Sequence, residues 1–187
     1  MTIDAATRAI LLKAARHSIE QAMNENLPLF KSDSLNPVLQ ELRASFVTLK
    51  RHAALRGCIG TLKARRSLLD DVIHNARLAA FEDPRFPPLT APELEDLCIE
   101  IAALSKAELI KANNRTELLR ALRQGEDGLI VREDAVQATF LPAVWHSLPD
   151  ADCFYDELMK KAGLGAGYWS STLKFFRYHT EHFSTEE

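Results

Sequence analysis

A single thiol between two glycines is the strongest chemical signal in this sequence. Residues 55–62 read Leu-Arg-Gly-Cys-Ile-Gly-Thr-Leu, which places Cys58 between Gly57 and Gly60, with Arg56 two residues before it. A cysteine acts as a nucleophile or a metal ligand only as a thiolate, a form that nearby positive charge favours. Glycines let the backbone bend or approach a ligand closely, and free amide N–H groups in such a segment could face an anion.

The same segment is compatible with a structural role. Cysteine is among the residue types most often buried, and a lone cysteine without a fixed base is commonly inert packing. Arg56 offers a planar, two-pronged donor for an anionic group or for a structural carboxylate. The residues leave both interpretations open.

A second candidate segment follows in residues 82–89, where three prolines exclude regular structure. This rigid loop holds Asp83, Arg85 and Phe86 at short range. One interpretation is the wall of a cleft in which Arg85 grips an anionic group. The alternative is structural: Asp83 caps a backbone turn and Arg85 pairs with a carboxylate.

A third candidate is Glu100, which lies in the middle of the apolar strand predicted for residues 97–105. A carboxylate there needs an ionic partner or a wet cleft, and Arg56 and Arg85 are the natural candidates. If it faces a cleft, Glu100 is also the best candidate for a general base. A structural ion pair is the alternative.

The chain resembles the AMMECR-type domain family over residues 6–183. The resemblance is carried by Leu-Arg-Gly-Cys-Ile-Gly at 55–60 and by further pieces in the expected order, at residues 46–50, 83–90, 99–100, 125–131, 139–142 and 161–164, and at Trp169. It implies an α+β fold with about five strands, a smaller lobe, and a cleft between the lobes floored by residues 55–62. It also implies partners in a shared pathway, the AmmeMemoRadiSam system, with Memo-type dioxygenase-like proteins and radical-SAM proteins.

Together these observations define a candidate site. The candidate catalytic residues are Cys58 and Glu100. The candidate substrate-binding residues are Arg56, Gly57, Gly60, Thr61, Asp83, Arg85, Phe86 and Trp169. We expect no metal ligands and no cofactor. The resemblance also shows one departure: Asp127 stands where the family often carries a histidine, so any base role of that histidine falls to Asp127 or is lost.

The elements that must position these residues begin with a helix over residues 4–24, N-capped by Asp4, and a loop over residues 24–37. Residues 45–50 and 55–62 predict a hairpin with a four-residue turn at 51–54. That turn would place Cys58 opposite Val47 and Arg56 opposite Leu49, with the thiol on an aliphatic face unless a glycine-induced bulge re-aims it.

Further helices are predicted at residues 68–81, 115–123 and 150–162, with N-caps at Ser67 and Asn114 for the first two. A hairpin is predicted at residues 128–141, and a last strand at 173–182. Strands and helices do not alternate as βαβ units, so the pattern favours an antiparallel sheet flanked by helices, an α+β fold, and the family resemblance implies about five strands in it.

Composition limits the class of protein. The 187 residues are 47% hydrophobic and 26% charged, which favours one well-cored domain or one domain with two lobes. The family resemblance implies the two lobes, and the sequence contains no separable linker. No apolar run reaches the ~20 residues needed to cross a bilayer, and Met1 to Ala22 does not resemble a signal peptide. We therefore expect a cytoplasmic protein without a membrane anchor. Three widely spaced cysteines predict neither a disulfide framework nor a zinc site.

Charge limits the partners. The net charge of −3 argues against a protein that coats nucleic acid through bulk electrostatics. Residues 50–66 nevertheless hold six basic side chains and no acid, a patch that could bind RNA or serve as a solvated strand edge.

Three functions follow as hypotheses. The first is an enzyme, or an enzyme component, that handles a small anionic substrate. The second is a non-catalytic binding or scaffold module in which residues 55–60 are structural. The third is an RNA-binding protein.

Overall fold

The computed structural model describes residues 2–32 and 36–186. Its helices are α1 (Ala5–Met23), α2 (Leu68–Phe81), α3 (Arg115–Ala121) and α4 (Ala151–Lys161). Its strands are β1 (Ser45–Arg51), β2 (Ala54–Gly60), β3 (Leu97–Leu104), β4 (Glu108–Ile110), β5 (Gly128–Glu133), β6 (Val136–Phe140), β7 (Lys174–Tyr178) and β8 (Thr180–Ser184). The chain divides into unit 1 (Met1–Ser105 with Glu181–Glu187) and unit 2 (Lys106–Thr180).

The predicted α+β class is confirmed, but the strands are arranged differently. The described residues contain eight strands in two four-stranded sheets, ordered β2-β1-β3-β8 and β4-β7-β5-β6, where the sequence predicts about five strands in one sheet. Two local features explain the difference. β4 has only three residues and gives no periodic signal, and the single strand predicted at 173–182 breaks at His179, so that β7 and β8 join different sheets.

Side-chain caps set the helix starts. The carboxylate of Asp4 accepts from the Thr7 N–H, and the Ser67 hydroxyl accepts from the Asp70 N–H, as the sequence predicts. Asn114 caps α3 as predicted, and Asp150, predicted as the first residue of α4, is its N-cap. Each cap satisfies a main-chain donor that the helix leaves without an internal partner.

Unit 1 builds its core between α1, α2 and one face of its sheet. The core face of the sheet is aliphatic, with Val47 and Leu49 from β1 and Ile99 and Ile101 from β3 fully buried. Antiparallel pairing of β1 with β3 places Val47 opposite Ile101 and Leu49 opposite Ile99. Because side chains alternate along a strand, Thr48 falls on the other face.

The β1–β2 hairpin corrects the predicted register. The turn has two residues, His52 and Ala53, with φ values of 49° and 62°, and the pairing shifts between Leu49 and Lys50. Cys58 therefore lies opposite Thr48 rather than Val47. The prediction was wrong because a shorter turn and a bulge change which residues meet.

In unit 2, α3 and α4 pack on the sheet around an aromatic core. Trp145 stacks on Phe154 with ring centroids 3.8 Å apart, and Trp169 stacks on Phe175 at 5.6 Å. Leu109 of the edge strand β4 lies outside this core and is about half exposed. Unit 2 therefore has a core of its own.

Two predictions concern the rest of the chain. The loop predicted for residues 24–37 lies partly outside the described residues, since 33–35 are not among them; the short 3-10 helix Pro37–Gln40 follows it. Across residues 2–32 and 36–186, no helix is both long enough and apolar enough to cross a membrane. The cleft predicted between the lobes stays a prediction.

Candidate functional site

Cys58 presents its thiol on the face of the unit 1 sheet that does not form the core. Its Sγ atom lies 3.0 Å from Oγ1 of Thr48, the residue directly across the hairpin. The residue is neither fully buried nor fully exposed. The thiol is thus part of a polar surface and not an aliphatic one.

The main chain of Cys58 is held by the predicted rigid loop. The Asp83 carboxylate accepts from the Cys58 N–H at 2.8 Å, and Nη2 of Arg85 donates to the Cys58 carbonyl at 3.3 Å. The Arg85 side chain also donates to both Asp83 oxygens, at 2.7 and 3.0 Å. The hydrogen bond from Arg85, aided by the Cys58 N–H, holds the pKa of the buried Asp83 carboxyl well below its usual range.

Arg56 is bound by a carboxylate of the chain itself. Its Nε and Nη2 donate to the two oxygens of Glu93 at 2.8 and 3.1 Å, a bidentate pair. Glu93 in turn caps the 3-10 helix Ala91–Leu94 through the N–H and hydroxyl of Thr90. The hydrogen bond from Arg56 has the largest effect, and together with those from Thr90 it lowers the pKa of Glu93 to about 2.

Phe86 lies against both arginines of the candidate site. Its ring centroid is 5.9 Å from the guanidinium carbon of Arg56 and 5.5 Å from that of Arg85. These distances fit cation–π contacts. The loop therefore follows β2 and contacts it at Arg56 and again at Cys58.

Glu100 has an ionic partner that the sequence does not predict. Its carboxylate lies 2.5 Å from Nζ of Lys50, and both side chains are about one-third exposed (37% and 36%). The predicted partners, Arg56 and Arg85, are paired elsewhere. The hydrogen bond to Glu100 raises the pKa of Lys50.

Thr48 separates the two candidate catalytic residues. It lies opposite Cys58 on β2 and opposite Glu100 on β3. Since neighbouring strands are about 4.8 Å apart, the two residues are separated by about 10 Å across the sheet. Glu100 thus lies two strands from Cys58, and its carboxylate is bound to Lys50 instead.

The two glycines of residues 55–60 are required by close packing. A Cβ atom on Gly57 would lie 2.1 Å from the carbonyl oxygen of Ala79 in α2, and one on Gly60 would lie 2.2 Å from the Phe46 ring. Gly57 faces the core and Gly60 faces the opposite side. Both positions therefore exclude any larger residue without movement of the backbone or the ring.

Sequence reasoning missed a buried polar cluster beside Thr61. The fully buried Asp71 accepts from the N–H and hydroxyl of Ser45 at 2.8 Å each, from Nδ2 of Asn75 at 2.9 Å, and from the Thr61 hydroxyl at 3.2 Å. Asp71 and Asn75 are four residues apart beside the apolar stripe of α2, and that spacing on one helix face was the available signal.

The basic patch at residues 50–66 is largely neutralised. Besides Lys50 and Arg56, Arg51 contacts Glu93 and Asp96, and Arg66 lies 3.7 Å from Asp71. Among the described residues, only Lys63 and Arg65 of this patch have no acidic partner. The positive charge is therefore smaller than the sequence suggests.

Two candidates lie in unit 2, and their participation in the site stays a prediction. Trp169 packs against the unit 2 core through Phe175. Asp127 is fully buried, with its carboxylate 3.5 Å from Nε of Arg123 and 3.3 Å from Nδ1 of His179. In the described residues no group of three His, Cys, Asp or Glu side chains is placed to hold a metal ion.

These features define an α+β protein of two sheet-containing units, with a glycine-flanked thiol on one sheet and a proline-rich loop along its edge. The AMMECR1 family model matches residues 12–183. This chain belongs to the AMMECR1 family.

Relatives and a solved structure agree with this assignment. Protein SSO0193 of Saccharolobus solfataricus is 37% identical over 182 residues, covering 91% of this chain and 78% of its own length. A protein of Methanothermobacter thermautotrophicus is 33% identical over 179 residues, covering 92% and 91%. The crystal structure of uncharacterized protein PH0010 from Pyrococcus horikoshii superposes with a TM-score of 0.73 at 33% identity, covering 94% and 90% of the two chains.

Proposed function

We propose that this chain is an enzyme, or a component of one, that binds a small substrate on the non-core face of β1–β3, with Cys58 as the reacting thiol. One observation carries the proposal: the main chain of Cys58 is fixed on its outer side by Asp83 and Arg85, while its thiol stays partly accessible beside Thr48. Functional side chains are commonly held in this way by a rigid supporting layer.

In this proposal, different residues would meet different parts of a substrate. Cys58 would react as a thiolate, and the Thr48 hydroxyl can donate a hydrogen bond to that anion. Glu100, two strands from Cys58 on the far side of Thr48, would act on a different group of the substrate. Lys50, Arg56 and Arg85 are each paired with a carboxylate of the chain, so an anionic group of the substrate would have to share one of these cations with Glu100, Glu93 or Asp83.

The test is the rate of Cys58 alkylation by iodoacetamide against pH, in protein whose other two cysteines, Cys98 and Cys153, are replaced by serine. We expect labelling of the folded protein at near-neutral pH, since the thiolate is the reacting form and the thiol is partly accessible. A Cys58→Ala version of the same protein is the blank. Labelling that begins only when the protein unfolds would overturn the proposal.

A non-catalytic binding or scaffold module is the second candidate. It is favoured by the contacts that residues 55–60 make within the chain. Arg56 is bound to Glu93, and both glycines make room for packed neighbours. The family resemblance suggests Memo-type and radical-SAM proteins as partners. Co-purification with such a partner that is equal for wild type and Cys58→Ala would favour this candidate over the enzyme.

RNA binding has the least support. Four of the six basic residues at 50–66 contact carboxylates, and a stacking platform would need aromatic side chains among them. A salt-dependent shift with single-stranded RNA, lost in a Lys63→Glu and Arg65→Glu double variant, would be the result in its favour.

A further inference from the structure

Cys58 lies at the edge of the unit 1 sheet, where its main chain has no strand to bond. β2 is the first strand in the order β2-β1-β3-β8. The Thr61 N–H donates to the Ser45 carbonyl at 3.0 Å, and hydrogen-bonded pairs alternate along an antiparallel ladder. The main-chain groups of Gly57 and Ile59 therefore face β1, whereas those of Cys58 point away from it.

We infer that Asp83 and Arg85 are positioning residues that replace a neighbouring strand at Cys58 and so fix the direction of its thiol. A strand would offer Cys58 one acceptor and one donor. The Asp83 carboxylate supplies the acceptor at 2.8 Å and the Arg85 guanidinium supplies the donor at 3.3 Å. We call this arrangement the Asp83–Arg85 clamp.

The two residues of the clamp are also hydrogen-bonded to each other. Arg85 donates to the Asp83 carboxylate from its main-chain N–H at 3.1 Å, from Nε at 3.0 Å and from Nη2 at 2.7 Å. With the Cys58 N–H, the carboxylate thus accepts four hydrogen bonds, which offset the cost of burying its charge. Both oxygens are occupied, so Asp83 has little capacity left for a substrate.

The loop backbone is also anchored independently of Cys58. The Phe86 N–H donates to the Asp83 carbonyl at 3.1 Å, and the Leu89 N–H donates to the Ala80 carbonyl at the end of α2 at 2.8 Å. The loop is therefore anchored to the end of α2 and holds the main chain of Cys58 in β2. The reactivity of the Cys58 thiol rests on the proposed function. The existence of the clamp does not depend on it.

The test is hydrogen exchange of single backbone amides by NMR, in wild type and in Asp83→Ala. We expect the Cys58 amide to exchange about tenfold faster or more in the variant, since it loses its acceptor. The amides of Gly57 and Ile59 bond β1 and are expected to stay within about twofold of wild type. Glu95→Ala removes an exposed acidic side chain nearby in sequence and is the matched control.

Two further variants are expected to increase the exchange rate of the Cys58 amide by smaller amounts. Arg85→Ala leaves the carboxylate acceptor in place, so the Cys58 amide is expected to accelerate less than in Asp83→Ala. Arg85→Lys restores one donor but not the two-pronged pair, and is expected to recover part of the protection. The clamp is disproved if the Cys58 amide behaves as in Glu95→Ala, or if the amides of Gly57, Cys58 and Ile59 accelerate equally.

Alkylation of Cys58 in the same variants separates the two proposals. A thiol that reacts in wild type, and whose pH midpoint moves in Asp83→Ala but not in Glu95→Ala, supports both. A thiol that never reacts in the folded protein removes the catalytic role of Cys58, while the amide exchange still decides on the clamp.

Discussion

Replacing Gly57 by alanine tests whether residues 55–60 are set by packing against α2. An added Cβ would lie 2.1 Å from the Ala79 carbonyl oxygen, whereas ordinary contacts begin at 3.4 Å, so helix or strand must move by about 1.3 Å. The helix cannot yield freely, because its neighbouring residues Val72 and Ala76 are fully buried in the unit 1 core. Overpacking of this kind typically costs about 1–3 kcal/mol, and we expect a loss of about 2 kcal/mol or more.

The assay is urea unfolding followed by far-UV circular dichroism, which reports largely on α1 and α2. The tryptophans and tyrosines all lie in unit 2, so intrinsic fluorescence follows that unit separately. Gly165→Ala is the matched control: its Cβ would meet nothing within 4 Å, and the change is expected to be neutral or to stabilise by at most about 1 kcal/mol. Equal unfolding midpoints for the two variants would refute the packing argument.

Other perturbations test the polar contacts. Asp71→Ala leaves the buried donors of Ser45 without an acceptor and should lower the free energy of unfolding by about 3 kcal/mol in urea titrations; a change below about 1 kcal/mol would contradict the buried network. The pKa of Glu93 is lowered to about 2, so its contribution is complete above about pH 4.5 and is lost as pH falls toward about 2. Thermal scans from neutral to acid pH should show this decline in wild type and a weaker one in Glu93→Gln; equal declines would argue against the pair with Arg56. Lys50→Met removes the partly exposed ion pair with Glu100, and the melting temperature should change little, since ion pairs near the surface contribute about 0–1 kcal/mol.

Local signals in the sequence were sufficient for the helices. Asp4, Ser67 and Asn114 are each a short polar residue just before an apolar periodic run, and each caps the predicted helix. Capping depends on residues three positions apart, so no distant contact was needed. The irregular course of the loop at 82–89 was likewise predictable, because proline restricts its own backbone and that of its neighbour.

The hairpin shows where local reasoning stops. A two-residue turn with positive φ at both positions usually carries glycine or asparagine, but here it carries His52 and Ala53. The sequence therefore does not indicate the shorter turn, and the predicted register placed Cys58 on the aliphatic core face instead of the opposite face. Packing of β2 decides the register, because Gly57 lies against Ala79 of α2 and Ile59 packs on the core, and a shift of one residue would turn both toward the opposite face.

By itself the sequence determined the family resemblance, the α+β class, the helix starts and the chemical types available near Cys58. Only the tertiary structure decided which groups meet. The contacts that define the site join residues 25, 37 and 50 positions apart: Cys58 with Asp83, Arg56 with Glu93, and Lys50 with Glu100. Partners at such separations follow from strand order and register, which are set by burial of the whole core and not by the residues that pair.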